Sequence, residues 1–186
     1  MNHSIELVVK LKVTDNEARS ALEALQVKMG LGDAVSGLAR DDVWELSVEA
    51  DDEAAAIELI GDLVSATNLF ANPNKHRTAV GRPGATGDPL GDDEIAVLVA
   101  ERGSDEGAAI LRTLEGLGHG DVVDARRWTR WRVRLAEMPG HDDPDLLARV
   151  RHIAVTTGRA EGLLSNPHCE VSRVVFPWGG EAWLER

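Results

Sequence analysis

Apolar positions alternate between a period of two and a helical period along the chain. In residues 5–13 every second side chain is apolar, which is typical of a strand with one buried face. Residues 18–29 carry apolar side chains at helical spacing after a capping box at 14–17. The pattern then predicts a strand at 35–39, a tight turn at 40–42, a second strand at 44–48, a helix at 52–64 and a closing strand at 75–80. Asp51 or Asp52 is expected to cap this second helix.

The resulting order, β-α-β-β-α-β, is that of a ferredoxin-like unit. It combines an antiparallel hairpin, with its turn at 40–42, and crossover connections that are right-handed in such folds. We therefore expect a four-stranded sheet with both helices on one face.

The second part of the chain repeats this plan. The most specific landmark follows the second helix of each half and reads Leu69-Phe70-Ala71-Asn72-Pro73 and Leu163-Leu164-Ser165-Asn166-Pro167. Because the residue before a proline is disfavoured in the helical region, Asn72 and Asn166 are expected to end these helices. The recurrence predicts a duplication. The predicted fold class is α+β, with two ferredoxin-like βαββαβ units forming an intramolecular pseudo-dimer.

The repeat also sets the expected domain boundaries. The first unit covers residues 1–81 and the second covers 94–176. Residues 82–93 contain two prolines and three glycines without periodicity, which indicates a linker. Residues 177–186 have no counterpart in the first unit and are predicted to be a tryptophan-containing tail.

Composition narrows the class of protein. The net charge is −12, so the chain as a whole does not attract nucleic acid or anionic lipid, and neither is an expected partner. No apolar run approaches the length of a membrane span. The single cysteine, Cys169, excludes an internal disulfide framework and favours the cytoplasm.

One strand of the second unit is rich in arginine. Its outer face and its start form a candidate partner or ligand surface: Arg126, Arg127, Trp128, Arg130, Arg132 and Arg134. Tryptophan among arginines can bind single-stranded nucleic acid, and arginines can bind a phosphorylated metabolite. The overall acidity favours a packing or protein-partner surface. We expect Arg132 and Arg134 to meet the acidic face around Glu45 and Glu49 of the first unit.

Other residues with potential chemistry have simpler interpretations. The pairs Gly30/Gly32 and Gly118/Gly120 follow helices, so they are expected to be helix ends rather than phosphate-binding loops. The neighbours His168 and Cys169 point to opposite faces of a strand and cannot easily share a metal ion. No catalytic set, metal site or cofactor is predicted, and we expect a protein that is not an enzyme.

With this order and these junctions, each half resembles PurS, the small subunit of bacterial phosphoribosylformylglycinamidine synthase in purine biosynthesis. The resemblance covers residues 5–81 and 95–176 and rests on the two Asn-Pro stretches and on the segment 41–46 before an acidic helix cap. It implies a non-catalytic subunit that self-associates and joins a glutaminase to a synthetase. The family usually carries a Gly-Lys pair in the turn before the hairpin strand. Residues 40–42 and 128–130 stand in that turn here, one in each half.

Two functional hypotheses of different classes follow. The first is a PurS-like bridging or scaffolding protein with synthetase and glutaminase subunits as partners. The second is a small-molecule sensor similar to ACT-type regulatory domains, which share the βαββαβ order and bind ligands between paired units.

Overall fold

The computed structural model describes residues 1–158 and 161–184. In these residues the chain forms an α+β fold with four α-helices and one seven-stranded antiparallel sheet. The helices are α1 (Asn16–Glu23), α2 (Glu53–Ala66), α3 (Glu106–Gly116) and α4 (Leu146–Ala154), and a π-helical turn, Ala24–Lys28, continues α1. The strands are β1 (Asn2–Leu11), β2 (Val35–Glu49), β3 (His76–Gly81), β4 (Glu94–Glu101), β5 (Val122–Leu135), β6 (Glu170–Val175) and β7 (Glu181–Trp183). None of the helices in this part of the chain has the length and apolarity needed to cross a membrane.

The sheet order is β3-β1-β2-β5-β4-β6-β7. In the first half of the chain, β1 pairs antiparallel with both β2 and β3. In the second half, β4 pairs antiparallel with both β5 and β6. The two halves therefore use the same pairing plan, with the first strand of each half in the middle.

The predicted hairpins at 40–42 and 128–130 are wrong. Residues Val35–Glu49 form one strand of 15 residues, and Val122–Leu135 form one of 14, so each half has the order β-α-β-α-β. Neither the residues 40–42 nor the residues 128–130 include a glycine or a proline, which would favour a tight turn there. Backbone hydrogen bonds at both ends of β2, from Ala136 N–H to the Ala34 oxygen and from Glu49 N–H to the Asp121 oxygen, tie it to the β5 segment. Pairing between distant segments thus overrides the local turn.

The chain divides into two compact units that differ from the predicted boundaries at 1–81 and 94–176. Unit 1 comprises residues 1–14, 41–89 and 103–128. Unit 2 comprises residues 15–40, 90–102 and 129–186. The physical reason is the unbroken β2 and β5, each of which begins in one unit and ends in the other. As a result α1 belongs to unit 2 and α3 to unit 1.

The core of unit 1 is built from both halves of the sequence. The first half of the sequence contributes the buried faces of β1, β2 and α2. The rings of Trp44 and Phe70 pack edge to face there, with 5.2 Å between their centroids. Of the two aspartates expected to cap α2, Asp52 is the N-cap, and its side chain accepts a hydrogen bond from Ala55 N–H. The second half completes the core through the fully buried Leu114 of α3 and the start of β5.

The core of unit 2 is assembled in the same way. Its second-half part comes from β4, β5, α4 and β6. Residues 95–100 of β4 are apolar without interruption and are buried on both faces, as expected for such a run. The first half adds Ala18 and Leu25 from the α1 segment and Val35 from β2. The N-cap of α1 is Asp15 rather than the expected Thr14, and it accepts hydrogen bonds from two backbone N–H groups.

The two Asn-Pro stretches do not end helices. The α2 helix ends at Ala66 and α4 ends at Ala154, well before either stretch. Each asparagine instead opens a turn into a closing strand: the Asn72 carbonyl accepts a hydrogen bond from His76 N–H, and the Asn166 carbonyl accepts one from Glu170 N–H. Each asparagine side chain also accepts from the N–H two residues later, and each asparagine N–H donates to the side chain four residues later. The motif is a turn used twice with the same hydrogen bonds.

The predicted tail contains a strand as far as the structure describes it. The strand β7 pairs antiparallel with β6 through a turn in which Gly179 and Gly180 adopt positive φ. Leu184 is buried in the unit 2 core, and its carbonyl accepts a hydrogen bond from Arg151. The segment is therefore part of unit 2, where it forms the edge of the sheet.

Because each core needs a helix from the other half of the sequence, we expect that neither half folds alone. Fragments 1–93 and 94–186 should each lack cooperative thermal unfolding, since fragment 1–93 lacks α3 and fragment 94–186 lacks α1. Mixing them should restore the circular dichroism spectrum of the full chain. A monomeric half with a cooperative transition of its own would contradict this arrangement.

A glycine on α3 gives a local test of the unit 1 core. A Cβ at Gly107 would lie 1.9 Å from the Ala125 carbonyl oxygen, whereas one at Gly116 on the same helix would have nothing within 4 Å. We expect Gly107→Ala to lower the free energy of unfolding by about 2 kcal/mol or more, because α3 must move away from β5. Gly116→Ala is the matched control and should be neutral or stabilising by up to about 1 kcal/mol. Urea unfolding measures both, and equal values would contradict the close approach.

Candidate partner surface

The six residues of the candidate surface all lie on β5 but divide between the two compact units. Arg126, Arg127 and Trp128 belong to unit 1. The other three, Arg130, Arg132 and Arg134, belong to unit 2. The expected single arginine surface is therefore divided between the two units.

In unit 1 Trp128 is buried, with only 1% of its surface exposed. Its indole N–H donates a 2.8 Å hydrogen bond to the Glu45 carboxylate. The exposed Arg126 lies over the Trp128 ring, with 4.1 Å between the guanidinium carbon and the ring centroid, which is a favourable cation–π distance. Trp128 therefore anchors β5 inside the protein, whereas Arg126 above its ring is exposed to solvent.

Arg127 joins β5 to two other segments of unit 1. It donates to Asp42 on β2 at 2.9 Å and to Glu106 at the start of α3 at 2.7 Å. Partial burial alone would lower the pKa of the Arg127 guanidinium, but the charges of Asp42 and Glu106 raise it above its ordinary value. Arg127 is thus a permanently charged link between strand and helix.

In unit 2 the arginines converge on one carboxylate of β4. Glu94 accepts hydrogen bonds from Arg132 and from Arg134, the latter at 2.9 Å, and Arg134 also reaches Asp93 at 3.4 Å. The side chains of Glu94 and Arg132 are each only 11% exposed. Burial raises the pKa of Glu94, but the hydrogen bonds from Arg132, Gly91 N–H and Arg134 outweigh it and bring the pKa below its ordinary value.

These contacts differ from the expected pairing of Arg132 and Arg134 with the acidic face around Glu45 and Glu49. Both arginines form salt bridges with residues at the start of β4, the strand beside β5. The strand register places Glu94 directly opposite Arg134. The sequence of β5 alone does not reveal this neighbour, because it depends on how β4 and β5 are aligned. Arg130 is partly buried on the same strand.

A second surface feature of unit 1 was not predicted from the sequence. An open groove of about 390 Å³ lies beside α2. We call the incompletely buried apolar residues of α2 that line it, Ala55, Leu59 and Ala66, its floor, and the two carboxylates that line it, Glu58 and Asp62, its rim. The buried Leu63 and His119, which lies beyond the end of α3, complete the lining. The signal that could have revealed the groove is the alanine content of α2, because Ala55 and Ala66 are exposed beside the face that packs into the core.

The other candidate residues from the sequence are the glycine pairs, the possible metal ligands and Cys169. Gly30 and Gly118 have positive φ at the ends of helical segments, which confirms their interpretation as helix ends. Within residues 1–158 and 161–184, no group of three or more histidine, cysteine, aspartate or glutamate side chains is placed to hold a metal ion. Cys169 is exposed and has a free thiol.

No protein-family model matches the chain, and no curated protein matches it in sequence.

The Glu94 cluster predicts a specific dependence of stability on pH. The folded-state pKa of Glu94 lies below 4.5, so its contribution to stability is complete well above that pH and is lost as the pH falls through the folded-state pKa. We expect Glu94→Gln to lower the free energy of unfolding at pH 7 by roughly 3 kcal/mol, because Arg132 stays buried without its charge partner. The difference from the wild type should shrink on acidification.

Urea titrations at several pH values between about 7 and about 3 measure this difference. Glu101→Gln, an exposed carboxylate at the other end of β4, is the control and should have little effect. A destabilisation by Glu94→Gln that stays constant with pH would contradict the electrostatic role of Glu94.

Proposed function

We propose that the chain is a non-catalytic bridging or scaffolding protein composed of two PurS-like units in tandem. The observation that carries this proposal is the double occurrence of one design. The same strand-pairing plan and the same asparagine turn appear in both halves, with the two asparagines 94 residues apart. A duplicated small subunit accounts for both features.

The finer architecture belongs to the same proposal. Each half is a ferredoxin-like unit whose predicted hairpin has opened into one long strand, and the two halves form an intramolecular pseudo-dimer. The placement of α1 in unit 2 and α3 in unit 1 supports this proposal, because exchanged elements are typical of intertwined dimers. A single chain with two compact units also offers two surfaces, as a bridging protein requires.

The resemblance to PurS supplies the proposed partners. In this proposal the chain acts in the cytoplasm and joins a glutaminase subunit to the synthetase subunit that makes formylglycinamidine ribonucleotide. The arginines of β5 that pair with carboxylates stabilise the scaffold, and the partners bind elsewhere on the surface.

Affinity purification of the tagged full-length chain from its own cells tests the proposal. Synthetase and glutaminase subunits should co-purify with it and not with an unrelated acidic protein that carries the same tag. In a reconstituted reaction, omission of the chain should abolish synthesis with glutamine as the nitrogen source and leave synthesis with ammonia unchanged.

The contrary result would favour the sensor. If no subunit co-purifies and one amino acid or nucleotide raises the melting temperature by several degrees, the chain is a ligand-binding regulatory module and the bridging function is excluded.

A further inference from the structure

The groove in unit 1 lies beside one face of the α2 helix. Ala55, Leu59, Asp62 and Ala66 follow at intervals of four, three and four residues, which is the spacing of one face of a helix. The face extends from the first turn of α2 to its last, and a helix of 14 residues is about 21 Å long. An open strip of this length is complementary to a second helix laid along it.

The floor of the groove permits close approach. Ala55 and Ala66 are exposed and carry the smallest side chain other than glycine, while Leu59 is partly buried between them. Small residues bring the axes of two packed helices closer together, so larger side chains of an incoming helix can fill the groove. The partner's contacting face should therefore be apolar, with leucine or a residue of similar size opposite the alanines.

The rim of the groove sets the charge of the partner. Glu58 and Asp62 are exposed and lie one helical turn apart. Within the described part of the chain neither carboxylate takes part in a salt bridge or a hydrogen bond, so two like charges face solvent side by side. Like charges at this spacing repel one another, and two cations at the same spacing on a partner would neutralise both.

We propose that this groove binds an amphipathic helix of a partner protein whose apolar face is flanked by two arginines or lysines one turn apart. This inference rests on the bridging function proposed above and names the class of partner segment that one of its surfaces accepts. A volume of about 390 Å³ also lies in the range of small-molecule sites. The two carboxylates lie one helical turn apart along α2, however, and this spacing matches two cations on the face of a second helix.

The test uses the full chain and a synthetic probe. The probe is a fluorescein-labelled peptide of about 14 residues with an alanine–leucine face and two arginines one turn apart, and its counterpart has glutamates in their place. Fluorescence anisotropy should show binding of the arginine peptide only. Amide hydrogen exchange should show protection by the peptide within α2.

Charge reversal localises the site. Glu58→Arg combined with Asp62→Arg should weaken binding of the arginine peptide at least about tenfold. Glu23→Arg combined with Glu137→Arg changes the net charge equally, lies in unit 2 and should leave binding unchanged. Ala55→Glu, on the exposed floor, should also abolish binding, and thermal unfolding checks that every variant is folded.

Three results would overturn the proposal: equal binding of the two peptides, equal weakening by the control variant, or displacement of the peptide by free arginine or spermidine at micromolar concentration, which would indicate a small-cation site. The outcome is separable from the bridging function. Co-purification of the subunits that persists in the Glu58→Arg/Asp62→Arg variant contradicts the groove alone. Peptide binding without any co-purifying subunit contradicts the bridging function alone.

Discussion

The structure depends on one constraint: each hydrophobic core is completed by a helix from the other half of the sequence. Leu114 of α3 closes a core whose other helix, α2, comes from the first half, and Leu25 beside α1 closes a core whose other helix, α4, comes from the second. A unit of about 80 residues with a single sheet is marginal in stability, and a core shared between halves raises the apolar area that each segment buries. The division into compact units is therefore a property of packing and not of sequence order.

The continuous strands β2 and β5 are what make this exchange necessary. A strand of 15 residues extends for about 50 Å, so its two ends cannot pack against the same small helix layer. Each end must be covered by whichever helices lie beside it. The charged contacts follow the same rule: in unit 1 Arg127 links β5 to α3, and in unit 2 Arg134 and Arg132 bind β5 to β4 through Glu94.

Much of this fold could be predicted from local patterns, and the errors have a common cause. The α2 helix and the strand that starts each half follow from periodicity, the cap of α2 follows from an aspartate before the helix, and the burial of β4 follows from its continuous apolar run. The hairpins did not form because the predicted turn segments lie inside continuous strands, where Asp42 pairs with Val9 of β1 and Arg130 pairs with Leu98 of β4. Local propensity cannot anticipate such pairing. An amphipathic pattern shows that α1 has a buried face, but it cannot show which core that face covers. The salt bridges of the arginine strand were misassigned for the same reason, because their partner Glu94 depends on strand register.

The same register argument changes where a partner would bind. An arginine-rich strand in an acidic protein suggests a binding surface. In the structure, however, Trp128 is buried, and Arg127, Arg132 and Arg134 form salt bridges with carboxylates of the same chain. Much of the positive charge of the strand therefore stabilises the fold. A charged side chain that already forms a salt bridge must give up that interaction to bind another molecule, so the net gain in binding free energy is small. Among the described residues, the exposed carboxylates Glu58 and Asp62 have no hydrogen bond or salt bridge to give up. The partner surface that we propose is therefore the acidic face of α2, and the paired arginines of β5 stabilise the fold.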